Sequence, residues 1–323
     1  MIPDGLTYYP DDRPGITRRK AGRGFIYRAP DGTRIEQRSE RTRIEALAIP
    51  PAYTDVWISP ERRGHLQATG RDAATRKQYR YHPDWSAFRA ARKFDDLPRF
   101  GHALPRIRAA IRSGLEGELG TRTFALATVL GLIDRLSLRP GHPDYTEANG
   151  SYGATTLRSK HLVVSRGGTE LRFRAKGGVK VEETLSDKRL ARALQRLDDL
   201  PGAPLATWME GEEVRQVTPD MVSAHLSEIT GEDGLTPKTF RTWNGTVAAM
   251  EVALREEALS IGAMTEAAAD RLNNTPTIAR NSYIHPVVIG LAEKDLGDRR
   301  ALADTATPTR LRKAERAVLA LLD

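Results

Sequence analysis

From the N-terminus to about Trp85, apolar residues come in short runs broken by Pro, Gly and Asp. Gly24-Phe25-Ile26-Tyr27-Arg28 leads into a Pro30-Asp31-Gly32 turn, and Ala52-Tyr53-Thr54-Asp55-Val56-Trp57-Ile58 follows. Aromatic and β-branched runs this short, bounded by turn formers, predict a small β-rich domain. A polar, Arg-rich stretch over 88–97 is expected to link it to the rest. From Leu97 the period becomes helical. Phe124, Leu126, Val129, Leu130, Ile133 and Leu136 predict an amphipathic helix running to Leu138, stopped because Arg139 precedes Pro140. His161–Val164, Thr169–Arg174 and Val179–Glu182 predict three strands joined by the turns Arg166-Gly167-Gly168 and Ala175-Lys176-Gly177-Gly178. Thr218-Pro219, Thr236-Pro237 and Thr275-Pro276 each place a hydroxyl N-cap before a proline suited to the first helical position. Arg310–Leu322 reads as an amphipathic tail helix. The expected fold is α+β: a β-rich domain over 1–90 and a mainly α-helical domain over 91–323 with a small antiparallel sheet.

Charge sharpens this division. The 323 residues carry 50 Lys+Arg and 42 Asp+Glu, a formal charge of +8. Residues 1–93 hold 19 basic and 11 acidic side chains, whereas 94–323 hold 31 of each, so the whole surplus lies in the first third. A basic module beside a neutral one suits a polyanion, because phosphate neutralisation supplies most sequence-independent affinity for nucleic acid. Cysteine is absent, which excludes disulfides, thiolate nucleophiles and Cys-ligated metals. No apolar run approaches the roughly 20 residues that span a bilayer, and the first residues lack the layout of a signal peptide. The expectation is a soluble, cytoplasmic protein.

Several chemistries are missing. There is no G-x-x-x-x-G-K-[ST], no H-E-x-x-H and no G-x-S-x-G. The acidic pairs Asp11-Asp12, Asp95-Asp96 and Asp198-Asp199 sit in polar stretches and read as solvated faces. An enzyme with this sequence would use a hydroxyl nucleophile, with Arg and Lys as electrophilic help. No cofactor and no metal are expected.

Five segments carry a more specific reading. Four lie in the helical domain: Leu136-Ser137-Leu138-Arg139-Pro140-Gly141-His142 continuing into Tyr145–Gly153, then Phe173–Gly178, Lys238–Gly245, and Asn273–Tyr283. The fifth is basic, Gly64–Asp72 with Arg76-Lys77-Gln78-Tyr79-Arg80-Tyr81-His82. Together, and in this order over about 53–289, they resemble type IB DNA topoisomerases in the short poxvirus-like form found in bacteria. The resemblance implies a catalytic fold shared with tyrosine recombinases. It places two phosphate-binding arginines at Arg139 and Arg241, the general-acid lysine at Lys176 and the nucleophile at Tyr283. A position often occupied by histidine falls on Asn274, preferred over Asn273 because Thr275-Pro276 follows directly. An amide can donate to a phosphoryl oxygen but cannot shuttle a proton. The DNA-clamping domain would contribute Arg71, Arg76, Gln78, Tyr79, Arg80 and Tyr81.

These residue types suit the chemistry. Cutting a phosphodiester and later resealing it without an energy source needs a covalent intermediate. Arg forks hold the non-bridging oxygens, and a lysine protonates the departing 5′-oxygen. The expected activity is relaxation of supercoiled duplex DNA through a 3′-phosphotyrosyl link, by a monomer needing no nucleotide and associated with the nucleoid. No residue stands out as general base for the tyrosine. A tyrosine recombinase is the first alternative, but its usual H-x-x-R reads Lys238-x-x-Arg241 here. A non-catalytic DNA-binding protein is the second, and would not need the catalytic set.

Overall fold

A computed structural model describes residues 2–73, 75–202, 204–304 and 310–323, with Tyr145 described by its backbone alone. The chain divides into two compact units, one up to Lys93 and one from Phe94.

In the first unit, strands β1 (Ile16–Ala21), β2 (Gly24–Arg28), β3 (Thr54–Ile58), β4 (Leu66–Arg71) and β5 (Lys77–Tyr81) form an antiparallel sheet. The strand order is β2-β1-β3-β4-β5. Ile16, Tyr27, Val56, Ile58 and Ala68 face its core, where Ile44 joins them from helix α1 (Arg38–Ala46). Strand β4 is buried from Leu66 to Gly70, so its polar residues need internal partners. Gln67 Nε2 donates to the Gly64 carbonyl at 2.8 Å, and Thr69 Oγ1 to Asp11 at 3.0 Å. The stretch expected to link the two domains does contain their boundary, between Lys93 and Phe94, but it is partly helical. Its first residues belong to helix α2 (Pro83–Ala91), whose N-terminus is capped by His82 Nδ1 accepting from the Asp84 amide.

In the second unit, α3 (Leu97–Leu115) and α4 (Arg122–Leu136) pack together, and α5 (Pro143–Asn149) follows. Strands β6 (Leu162–Ser165), β7 (Gly168–Arg174) and β8 (Lys180–Thr184) make the expected antiparallel sheet. Then come α6 (Lys188–Asp198), the hairpin β9 (Thr207–Glu210) and β10 (Glu213–Gln216), and α7 (Pro219–Thr230). The remaining helices are α8 (Pro237–Arg255), α9 (Ile261–Leu272), α10 (Pro276–Tyr283), α11 (Pro286–Ile289), α12 (Leu296–Ala301) and α13 (Lys313–Leu322). Helix α8 runs through the core. Its Phe240 and Trp243 are both fully buried, with Phe240 meeting Phe100 of α3 edge-on at 4.8 Å between ring centres. Aromatic pairs of this kind contribute about 1 kcal/mol beyond area burial.

Helix α4 stops two residues earlier than the proline rule predicts. Ser137 takes the left-handed conformation (φ 54°, ψ 28°) and ends the helix before Pro140 can. Its turned-out carbonyl is captured by a side chain from α8, which compensates the strained backbone. Among the described residues, no helix is long and apolar enough to cross a membrane.

Candidate active site

Four side chains meet where α4 ends, α8 begins, and α9 passes to α10. Arg241, on the second turn of α8, is 4% exposed. Its Nη1 donates to the Ser137 carbonyl, and its Nη2 to the Leu272 carbonyl at 2.9 Å. Both acceptors are helix-terminal carbonyls with no partner inside their own helix. The same guanidinium therefore closes two helices and is held by them.

Arg139 lies two residues beyond the Ser137 turn and is half-buried. Its Nη2 donates to Asn274 Oδ1 at 3.0 Å. Asn273 occupies the left-handed cap of α9 (φ 49°), and its side chain turns away to Glu183 at 3.2 Å. Of the two asparagines it is Asn274 that joins the arginines, because the cap conformation of its neighbour redirects the chain.

Tyr283 ends α10. The Arg241 guanidinium carbon lies 5.1 Å from the centre of its ring. Helix α8 also fixes its backbone: Thr246 Oγ1 donates to the Tyr283 carbonyl at 3.1 Å and accepts from the His285 amide at 3.1 Å. Gly245 makes this approach possible. A Cβ there would lie 2.9 Å from the Tyr283 carbonyl oxygen and 3.0 Å from its Cβ.

Electrostatics follow from this packing. Burial, helped by the charge of Arg139, pushes Arg241 down to about 10, while Tyr283 opposes the shift. Burial alone would raise Tyr283, but Arg241, Arg139 and Lys238 together hold its phenol below the ordinary value. Among the described residues, two buried donors at this site have no hydrogen-bond partner, Arg241 Nε and Asn274 Nδ2. Orphaned donors are costly, and two beside a tyrosine with a lowered pKa form a site prepared for an anion.

Lys176 is not brought into this cluster by any bond. It sits exposed on the single turn between β7 and β8, where Gly177 and Gly178 both have positive φ (81° and 76°). Among the described residues it makes no side-chain hydrogen bond or ion pair. The root of its hairpin is nearby, since Phe173, Ala175 and Val181 line a cavity of about 20 Å³ together with Arg139 and Arg241. That space holds about one water molecule. Gly153 lets the second half of the first segment close over it, because a Cβ there would meet the Arg139 carbonyl oxygen at 2.5 Å. Among the described residues, no three His, Asp or Glu side chains are grouped as metal ligands.

The six residues expected to touch DNA all lie in the first unit, apart in sequence from the tyrosine. Tyr79 and Tyr81 project from one face of β5, 51% and 42% exposed, with their rings stacked at 6.1 Å. Arg80 donates to the Ala48 carbonyl at 3.2 Å. Arg71, Arg76 and Gln78 are held internally, Arg71 by Asp55 at 3.5 Å and the other two by Asp72 at 2.8 and 2.9 Å.

Ser137, Asn244, Gly245 and Thr246 received no role from the sequence, although the segments contained most of them. One signal was present: Asn244 falls on the same helical face as Phe240 and Val247, and a polar residue on an apolar face needs a buried partner.

Comparisons with known proteins point to one family. Residues 24–72 match the family described as bacterial DNA topoisomerase IB, N-terminal domain. Residues 82–290 match that described as eukaryotic DNA topoisomerase I, catalytic core. DNA topoisomerase 1B of Acanthamoeba polyphaga mimivirus is 26% identical over 84% of this chain and 85% of its own length. DNA topoisomerase 1 of Mycosarcoma maydis is 26% identical over 52% of this chain and 18% of its own.

Proposed function

The chain belongs to the type IB DNA topoisomerases, and from that premise we propose how its own residues carry out the reaction. The Tyr283 oxygen attacks a backbone phosphorus and the 5′-oxygen of the next nucleotide leaves, giving a 3′-phosphotyrosyl link and a free 5′-hydroxyl. Arg139 and Arg241 hold the non-bridging oxygens, where their charge stabilises the negative charge that builds in the transition state. Asn274 Nδ2 donates to one of those oxygens. Lys176, carried on its glycine hinge, protonates the leaving oxygen. Rotation of the free end about the intact strand releases supercoils, and the reverse attack restores both the DNA and the phenol.

The observation that carries the assignment is the pair of unpartnered buried donors, Arg241 Nε and Asn274 Nδ2, beside a tyrosine held below its usual pKa by cations. The positive charge needed by the phosphoryl group is then supplied by side chains of one chain. We infer a monomer that uses no nucleotide and no obligatory metal, working on duplex DNA in the nucleoid.

Supercoiled plasmid should relax in EDTA without ATP. Denaturant added during the reaction should leave protein on the 3′ side of a nick. Tyr283→Phe should abolish the adduct and retain DNA binding; an adduct persisting in that variant would move the nucleophile elsewhere.

A further inference from the structure

Asn244 is 2% exposed and sits one helical turn from both Phe240 and Val247, which are also buried. Its Nδ2 donates to the Asp134 carbonyl at 3.0 Å and to Ser137 Oγ at 2.9 Å. Asp134 lies in the last turn of α4, where a carbonyl has lost its helical partner. Ser137 is the left-handed residue that ends the helix. Both amide protons are thereby used. The Oδ1 is buried and has no partner among the described residues. Turning the amide over would set Oδ1 against the Asp134 carbonyl, acceptor against acceptor, so the orientation is fixed.

An unpartnered buried oxygen is destabilising. What this arrangement provides lies on the other side of Ser137. The Ser137 carbonyl takes a hydrogen bond from Arg241 Nη1. Arg139 follows two residues later and reaches Asn274. One amide therefore fixes the turn from which both guanidinium groups are set.

We propose that Asn244 is a positioning residue for phosphodiester cleavage, locking the Ser137 turn so that Arg241 and Arg139 are held against the scissile phosphate. This rests on the proposed roles of the two arginines. Asn244 itself touches no reacting atom and acts only through the geometry of Ser137.

The test is single-turnover formation of the covalent adduct by the whole chain on a duplex whose downstream fragment, the one left with the free 5′-hydroxyl, dissociates. Wild type, Asn244→Ala, Asn244→Asp and Ser137→Ala are compared, and both Asn244 variants are repeated in an Arg241→Ala background. Loss of either amide proton should slow cleavage about 10- to 100-fold, as expected for misplaced catalytic groups, with DNA affinity unchanged. Because Arg241, Arg139 and Lys238 are the charges that lower the Tyr283 pKa, the limb over which the rate rises as Tyr283 loses its proton should move to higher pH. In the Arg241→Ala background, the Asn244 substitutions should cost clearly less than in the wild type, only the part carried through Arg139 remaining. A merely structural asparagine would slow cleavage additively and leave the limb in place, and either result overturns the proposal. Should both Asn244 variants fail to fold, Ser137→Ala decides alone: it removes one acceptor but keeps the carbonyl, and an unmoved limb overturns the idea. A wild type that forms no adduct would instead overturn the proposed function.

Discussion

Asn274 replaces a side chain that could titrate with one that cannot. Its Oδ1 is committed to Arg139, and an amide gripped at one end has its other end aimed. In the proposed reaction that leaves Nδ2 as the donor to a phosphoryl oxygen, a purely electrostatic contribution. Asn274→Ala should therefore slow adduct formation by about 10- to 100-fold, by the same factor at every pH across the neutral range. Asn274→His should introduce a new dependence near the imidazole pKa of about 6.5. Rates measured from roughly pH 5 to 8 distinguish the two, and a pH-dependent defect in the alanine variant would contradict the assigned role. Residue identity at the centre was legible because each type suits one task in phosphoryl transfer. Partnership was not. Nothing in the order of residues reveals that Arg241 spends two of its donors on the carbonyls of Ser137 and Leu272, 104 and 31 positions away, leaving Nε for a ligand.

Two of the helix starts expected from a hydroxyl before proline are closed by that local side chain. Thr218 Oγ1 accepts from the Met221 amide and Thr275 Oγ1 from the Ile278 amide, as a hydroxyl before proline should. The end of α4 was not readable, because its stop signal is a distant asparagine and arginine rather than a neighbour. The attachment of α13 belongs to the same class. The helix starts at Lys313, later than its apolar pattern implies. It is anchored by Glu315, which binds Arg108 of α3 at 2.8 Å, while Arg108 also grips Asp134 of α4 at 2.9 Å. Burial would raise the Glu315 carboxyl, but Arg108 and Arg312 bring it down to about 2. A folded-state value this far below the unfolded one contributes stability that is complete above about pH 4.5 and lost as the pH falls toward 2, roughly 3 kcal/mol in all. Glu315→Gln should lower stability at pH 7 by about that amount. Urea unfolding of both proteins from neutral to acid pH would check it, since the two curves should converge as the pH drops. Parallel curves would mean that the carboxylate charge contributes nothing.

At the scale of the whole molecule, charge is divided between the two units. The basic surplus of the first 93 residues stands beside a balanced remainder that carries the cleavage chemistry. Grip and cutting should then be separable. In and just before β5, the basic residues are not equivalent. Arg76 is already paired with Asp72, whereas among the described residues the Arg80 guanidinium meets a neutral carbonyl through Nη2 and no carboxylate, on the face of the strand opposite the exposed Tyr79–Tyr81 stack. A cation without a carboxylate is free to neutralise a phosphate, and each phosphate contact contributes close to one counterion to the salt dependence. Arg80→Ala should accordingly weaken binding to duplex DNA and reduce the slope of log affinity against log salt by about one. Cleavage measured at saturating DNA should stay at the wild-type rate, because nothing around Tyr283 has changed. Arg76→Ala should alter the slope less, since its charge is already matched by Asp72. Equal slopes in wild type and Arg80→Ala would show that this arginine does not meet the backbone. A lower cleavage rate at saturation would show that the two units do not divide the work in this way.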